Sequence, residues 1–463
     1  MRPILAATLT LTVSHAEAQT MQPEAFTIAF PADAVADLRA RLAATRWPDQ
    51  IEGSGWAYGA DTAWVRDLAT AWAEEFDLDA AAARVNAFDN FTVRIDDQTL
   101  HFAHLRSSHA DAIPLVLLHG WPSSFVQMLE IAPLLAEPAE GPAFHVVIPS
   151  LIGYGYSSIP TETGMSPAAM APYIHRLMTE ALGYERYGVR SSDLGAGVAG
   201  QMAADYPDAI LGSHTGGTNP WIGPQIPDDL TAEEQAFVAN VQAWNQTEMA
   251  YAMLQASKPQ TLAVGLTDSP AGLLAWIGEK MHRWTDHDGD LFAVIDRDTV
   301  LTNATIYWMT GTLNSSIRLY AEAVRSQSWA MPQVPVGYLM PDGDFFPTPR
   351  SWIERQGPVG HWTTLDRGGH FLELERPQAV ADDLRAFFGP LAGRPAALVA
   401  EVFADYGRAA SFDRELVLRF AGMEIMRRLL GVAQLPFAAD LARKQALLAV
   451  SRELVLRPAS FGD

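Results

Sequence analysis

Tyr187-Gly-Val-Arg-Ser-Ser-Asp-Leu-Gly-Ala-Gly197 carries the first clue to the architecture. Tyr187–Arg190 has the apolar and β-forming character of a strand, and the pattern from about Gly195 is helical. Between them, small residues stand two before and two after Asp193, at Ser191 and Gly195. This is the spacing of a nucleophile elbow, small-x-nucleophile-x-small. Such a turn is crowded, so its flanking side chains must be small, and it pushes the central side chain out above the sheet. Here that side chain is a carboxylate, which is already ionised at neutral pH, with a reference pKa of about 3.9. A carboxylate can displace a leaving group from saturated carbon and form an alkyl ester, which water must then hydrolyse.

Working outward, Pro114-Leu-Val-Leu-Leu118 and Phe144-His-Val-Val-Ile148 are continuous apolar runs bounded by turns. Runs of this kind suit strands buried on both faces of a parallel sheet. Helical patterns lie between and after them, as βαβ units require. A further strand is expected near Ile210–His214. The rhythm then changes: about 219–318 carries helical patterns rich in Trp and Met and reads as a helical lid. The βα pattern resumes at Val334–Met340, at Trp362–Leu365 and in a helix after Pro377. Upstream, a short strand near Phe26 precedes a helix Ala32–Ala44 broken by Pro48, and a second helix covers Thr62–Phe76. Phe91–Ile95 and Leu100–Leu105 flank Asp96-Asp97-Gln98 as a hairpin.

The 463 residues carry a formal charge of 32 − 54 = −22, which argues against nucleic acid or an anionic membrane as partner. Hydrophobic residues make up 49%, enough for a sizeable core. The chain has no cysteine, which excludes disulfides, thiolate nucleophiles and Cys-ligated metals. Residues 1–20 read either as a short secretory signal, ending Ala16-Glu17-Ala18, or as an extension before a start at Met21. The first reading places the protein in the periplasm or outside the cell, the second in the cytoplasm. No run of about 20 apolar residues suggests a membrane span.

A base for the ester-cleaving water should lie late in the chain, after a strand. His370 fits, in Asp366-Arg-Gly-Gly-His-Phe371. A carboxylate to orient it should follow the preceding strand, where both Asp342 and Asp344 stand. The order Asp…Asp…His is that of the α/β-hydrolase fold. A lone His near a loop is more often structural, but three elements in order and context favour chemistry. Backbone N–H donors to the developing oxyanion are expected from Leu194, just after the nucleophile, and from Trp121 in the loop His119-Gly120-Trp121-Pro122, since Pro122 cannot donate. Losing one such donor typically costs about 3–4 kcal/mol. Neither metal-ligand spacing nor a cofactor motif appears, and the chemistry needs only water.

These residues resemble the epoxide hydrolases, specifically the microsomal-like branch with an extra N-terminal domain. The resemblance rests on His119-Gly-Trp-Pro122, Gly153-Tyr-Gly-Tyr-Ser157, the Asp193 elbow and Arg367-Gly-Gly-His-Phe371. It extends to Phe26–Pro48 and to Leu301-Thr-Asn through Ile306-Tyr-Trp and Ser315-Ser to Tyr320. It implies an α/β-hydrolase fold, a mostly parallel central sheet flanked by helices, with an N-terminal extension domain and a helical lid. It also implies Asp193 as nucleophile, His370 as base, Asp344 rather than Asp342 as its acid, and two lid tyrosines, Tyr251 and Tyr320, as donors to the epoxide oxygen. The substrates would be a small apolar epoxide and water. Residue 194 is Leu where relatives often have Trp.

The expected domains are an N-terminal unit 23–110, a core of 111–218 and 319–390, the lid 219–318, and a helical tail 391–463. The tail has amphipathic stretches around Leu416–Leu430 and Ala438–Leu454, and its expected role is packing or self-association into a homo-oligomer. Three alternatives stay open. A haloalkane dehalogenase shares the Asp and His but needs N–H donors for halide, and Leu194 removes the usual Trp. A hydrolase-fold binding protein usually lacks part of the triad. An esterase needs a Ser at the elbow centre, and Ser192 is offset by one.

Overall fold

The computed structural model describes residues 21–216, 226–326, 330–345, 347–357 and 359–392. Residues 1–20 and the tail helices expected at Leu416–Leu430 and Ala438–Leu454 lie outside these, as do the first residues of the lid.

Among the described residues nine strands form one sheet: β1 (Glu24–Ala25), β2 (Asp89–Ile95), β3 (Gln98–Leu105), β4 (Ile113–Leu118), β5 (Phe144–Pro149), β6 (Tyr187–Ser192), β7 (Ile210–Gly216), β8 (Val336–Pro341) and β9 (His361–Leu365). Their order is β1-β2-β3-β5-β4-β6-β7-β8-β9. The first three pair antiparallel, β3 joins β5 antiparallel, and every later pairing is parallel. The central strands are apolar because helices cover both faces: β6 is buried at every position. The expected hairpin forms, with Ile95 opposite Gln98 and Asp96 at φ +51, a left-handed conformation that Asp tolerates.

Two expected boundaries do not divide the structure. The line at 110/111 separates β3 from β5, yet Phe102 to Leu105 pair with Pro149 to Val146 in the same sheet. The hairpin completes the edge of the core because its inner face is apolar and its backbone bonds need partners. The line at 318/319 falls inside a single helix, Leu313–Ser326. The helix Leu78–Asn86, capped by the Asp77 carboxylate, was not anticipated.

The segment expected as a lid holds the helices Ala232–Thr247, Ala250–Ser257, Pro259–Asp268 and Pro270–Trp284, followed by Arg297–Thr310 and Leu313–Ser326. It rests on the N-terminal helices. Thr62–Glu74 packs against Pro270–Trp284, and Trp72 donates its indole N–H to Thr305 at 2.9 Å. Arg84 donates to Thr302 at 2.9 Å. None of the helices among the described residues is long and apolar enough to cross a membrane.

Candidate active site

The elbow places Asp193 at φ +49, ψ −129, between β6 and the helix Leu194–Asp205. A non-glycine residue at this angle is strained and persists only where its surroundings hold it. Two glycines make the space. A Cβ at Gly195 would stand 2.6 Å from the carbonyl oxygens of Leu118 and His119. A Cβ at Gly120 would stand 2.3 Å from both Cβ and Oδ1 of Asp193. Because Gly120 lacks one, the Trp121 N–H reaches Asp193 Oδ1 at 2.9 Å. Leu194, whose N–H was the other expected donor, is the first residue of the helix behind the elbow.

Gly120→Ala should therefore expel the carboxylate from the Trp121 N–H. The expected outcome is a drop of about 10²–10³ in the rate of ester hydrolysis, where charge develops on that oxygen, the usual cost of one such donor. Single-turnover kinetics with a thermal melt as fold control would check it. A near-normal rate would mean that this contact is incidental.

His370 lies after β9, buried, with Nε2 3.4 Å from Asp193 Oδ2 and Nδ1 3.3 Å from Asp344 Oδ1. Of the two carboxylates after β8, Asp344 is buried beside the imidazole, while Asp342 is exposed. Burial alone would lower the pKa of His370. The charge of Asp344, hydrogen bonds to Asp193 and Asp344, and the charge of Asp193 outweigh it and raise the pKa to about 10.

Two carboxylates that sequence reasoning missed hold the His370 segment. Glu375 accepts the backbone N–H of Gly369 (2.7 Å), Phe371 (2.8 Å) and Asp286 (2.9 Å), and so clamps both neighbours of His370 to the end of a lid helix. Burial pushes its carboxyl up to about 7, against the pull of those three N–H groups. Glu373 is fully buried and bonded by Arg190 at 2.8 Å, three residues before Asp193, and by Gln127 at 2.6 Å. The buried ion pair thus ties the His370 segment to the elbow strand.

The loop with His119, Gly120, Trp121 and Pro122 is pinned from the lid side. Asn303 donates to the Pro122 carbonyl at 2.9 Å, and the Tyr307 hydroxyl donates to the Ser123 carbonyl at 2.7 Å. His119 is a brace and not a pocket group. It is fully buried, its Nε2 accepts the Leu151 N–H at 3.2 Å, and burial pushes its imidazole down to about 4.

Tyr251 (in Ala250–Ser257) and Tyr320 (in Leu313–Ser326) come together from separate lid helices, their ring centroids 6.1 Å apart. Both pack on the Trp121 ring, Tyr251 stacked at 5.4 Å and Tyr320 edge-on at 5.9 Å. Burial pushes the Tyr251 phenol well up, and the Asp193 charge adds to this; for Tyr320 burial leads, followed by Tyr251 and Asp193. Trp284 and Phe345 complete an aromatic wall around His370, at 5.2 and 4.7 Å. The arrangement gathers two carboxylates, an imidazole between them and two buried phenols against the rings of Trp121 and Trp284.

One grouping among the described residues has ligand spacing for a metal: His214, His361 and Asp383. Its atoms are committed otherwise. Arg190 donates to His214 Nδ1 at 2.8 Å, so His214 Nε2 carries the proton and donates to Asp383 at 2.8 Å. A protonated nitrogen cannot ligate, and the cluster braces the sheet.

A family model described as "Epoxide hydrolase N terminus" matches residues 23–128, and one for the alpha/beta hydrolase fold matches 113–262. A putative epoxide hydrolase of Stigmatella aurantiaca is 38% identical over 375 residues, covering 79% of this chain and 84% of that protein. Among solved structures, Aspergillus niger epoxide hydrolase superposes with TM-score 0.73 at 32% identity, covering 80% of this chain and 97% of that one. The juvenile hormone epoxide hydrolase of the silkworm Bombyx mori does so with TM-score 0.71 at 30% identity, covering 80% and 94%.

Proposed function

Because the chain belongs to the epoxide hydrolase family, we propose that it converts a small apolar epoxide and water to a vicinal diol through an alkyl ester on Asp193. The observation that carries the reading is the grip on the Asp193 carboxylate: Trp121 N–H on Oδ1, His370 beside Oδ2. Oδ2, the oxygen that no backbone N–H holds, attacks one carbon of the ring as the C–O bond breaks. The epoxide oxygen leaves as an alkoxide and takes a proton from Tyr251 or Tyr320. His370, oriented by Asp344, then removes a proton from a water that attacks the Asp193 carboxyl carbon. The oxyanion forms on Oδ1, which the Trp121 N–H holds, with the Leu194 N–H as the second donor of this reading. Collapse breaks the bond to the alkyl oxygen, which takes the proton from His370 as the diol leaves, and the proton left on the Asp193 carboxyl returns to the phenolate.

The Asp193 charge couples the steps. While ionised, it favours the imidazolium and disfavours phenol ionisation. Once it is esterified that charge is gone, so His370 gives up its own proton more readily and is left neutral to act as the base, and the phenols ionise more easily. Interactions that change along the reaction in this way accelerate it. The aromatic wall of Trp121, Trp284 and Phe345 supports an apolar substrate. The domain reading that accompanies this function is an N-terminal segment and a lid closing over a shared core.

The indole nitrogens of Trp121 and Trp284 are buried without hydrogen-bond partners, which keeps halide release from haloalkanes as the second reaction to assay. The test is one turnover of a panel of epoxides in ¹⁸O-water, with haloalkanes in parallel. Diol is expected from the wild type and not from Asp193→Ala. The label should appear first in Asp193, since water attacks the ester carbonyl. Label entering the diol directly would overturn the ester mechanism, and halide without diol would make the protein a dehalogenase.

A further inference from the structure

Among the described residues a buried cation beside the aromatic wall takes no part in these steps. Lys280 lies in the helix Pro270–Trp284 and is 6% exposed. Lysine is almost never so buried unless paired. Its ammonium pairs with the adjacent Glu279 at 2.6 Å, and it also stands over two rings of the aromatic wall, 4.8 Å from the centroid of Tyr251 and 5.9 Å from that of Trp284. The Tyr251 ring itself stacks on Trp121, whose backbone N–H holds Asp193.

An ammonium over an aromatic face is attracted by the ring's negative face. As a phenol gives up its proton, negative charge spreads from oxygen into the ring and the attraction grows. An interaction that strengthens on the way to the transition state lowers the barrier, whereas one that stays constant does not. We propose that Lys280 is an electrostatic positioning residue for ring opening: it holds the Tyr251 ring on Trp121 and stabilises the charge that develops there as the Tyr251 proton moves to the epoxide oxygen. Lys280 keeps its own protons throughout. The bond from Asp193 Oδ2 to carbon forms, the epoxide C–O bond breaks, and the proton comes from Tyr251. The inference rests on Tyr251 being an acid in that step.

Glu279 makes the sign testable. Its charge raises the Tyr251 pKa further, after burial and Asp193. Neutralising Lys280 leaves that carboxylate uncompensated, whereas neutralising Glu279 removes an opposing charge. A merely structural ion pair would lose equally from either change.

The experiment measures single-turnover ester formation and ester hydrolysis separately, by quenched mass spectrometry, in the full chain. Lys280→Met should slow ester formation about tenfold and hydrolysis less than about twofold, while Lys280→Arg keeps most of the rate. Glu279→Gln should form ester at or above the wild-type rate. In a Tyr251→Phe background the Lys280→Met effect should vanish, because no phenol remains to ionise. The proposal is overturned if Lys280→Met leaves ester formation unchanged, slows both steps alike, or slows the Tyr251→Phe enzyme as much as the wild type. Loss in Glu279→Gln matching that in Lys280→Met also overturns it. If Lys280→Met does not fold, Lys280→Arg and Glu279→Gln still decide. Tyr251→Phe with an intact rate of ester formation would instead remove the premise.

Discussion

His370→Gln is expected to react once with an epoxide and stop, with about one alkyl group accumulating per protein molecule on Asp193. Attack needs only the carboxylate and the phenols, whereas hydrolysis needs a base for water. General-base catalysis contributes about 10²–10⁴-fold, so the ester should persist about a thousandfold longer than in the wild type. Gln keeps much of the side-chain volume, so the packing against Phe345 and Trp284 is largely retained. Intact-mass spectrometry after mixing with excess epoxide checks the result. Continued turnover, or no adduct at all, would remove His370 from the hydrolytic step.

The same imidazole makes a stability prediction in the wild type. Its pKa is raised to about 10 in the folded protein, mainly by Asp344 and Asp193 against burial, from an ordinary value of about 6.5. The charged group's stabilisation is therefore present in full below about pH 6.5 and is lost as the pH rises through about 10. Thermal melts should show a loss between pH 8 and 11 that is smaller in His370→Gln.

The second large effect is expected from removing both phenol hydroxyls. Tyr251→Phe with Tyr320→Phe should slow ester formation by about 10⁴ and leave no adduct, the opposite signature to that of His370→Gln. Without a donor, the epoxide oxygen would have to leave as a free alkoxide against the buried rings of Trp121 and Trp284, where an unpaired charge costs most. Either single change should cost less, because the remaining phenol still reaches the same space, its centroid 6.1 Å from the replaced ring. The rings stay in place, so stacking on Trp121 survives and melts should change little. Ester formation at more than a tenth of the normal rate in the double variant would mean that another group supplies the proton.

Much of this site is legible along the chain because it depends on short-range sterics. Ser191 and Gly195 flank Asp193 because a strand-to-helix turn has no room for larger side chains, and that constraint spans five residues. Alternating and continuous apolar runs mark strands for a similar reason, since side-chain direction repeats every two residues. The chain order of Asp193, Asp344 and His370 follows from where the strands end.

Other features depend on residues far apart in sequence, and local patterns do not carry them. Asp342 and Asp344 look alike in the chain, and only packing buries the second beside His370. The hairpin Asp89–Leu105 looks like part of a separate unit until β3 pairs with β5. Glu375 and Glu373 look like ordinary surface acids of a helix. They become clamps only because Asp286 and Arg190 arrive from 89 and 183 residues away. Lys280 reads as a solvated charge one helical turn before Trp284 until Tyr251 packs beneath it from another helix. The sequence alone therefore determined the elbow, the strand rhythm and the order of the reacting groups, because these follow from backbone geometry within a few residues. The tertiary structure decided which carboxylate meets the imidazole, what clamps it and which charge stands behind the phenol, because burial and partner choice depend on contacts that form only when the whole chain packs.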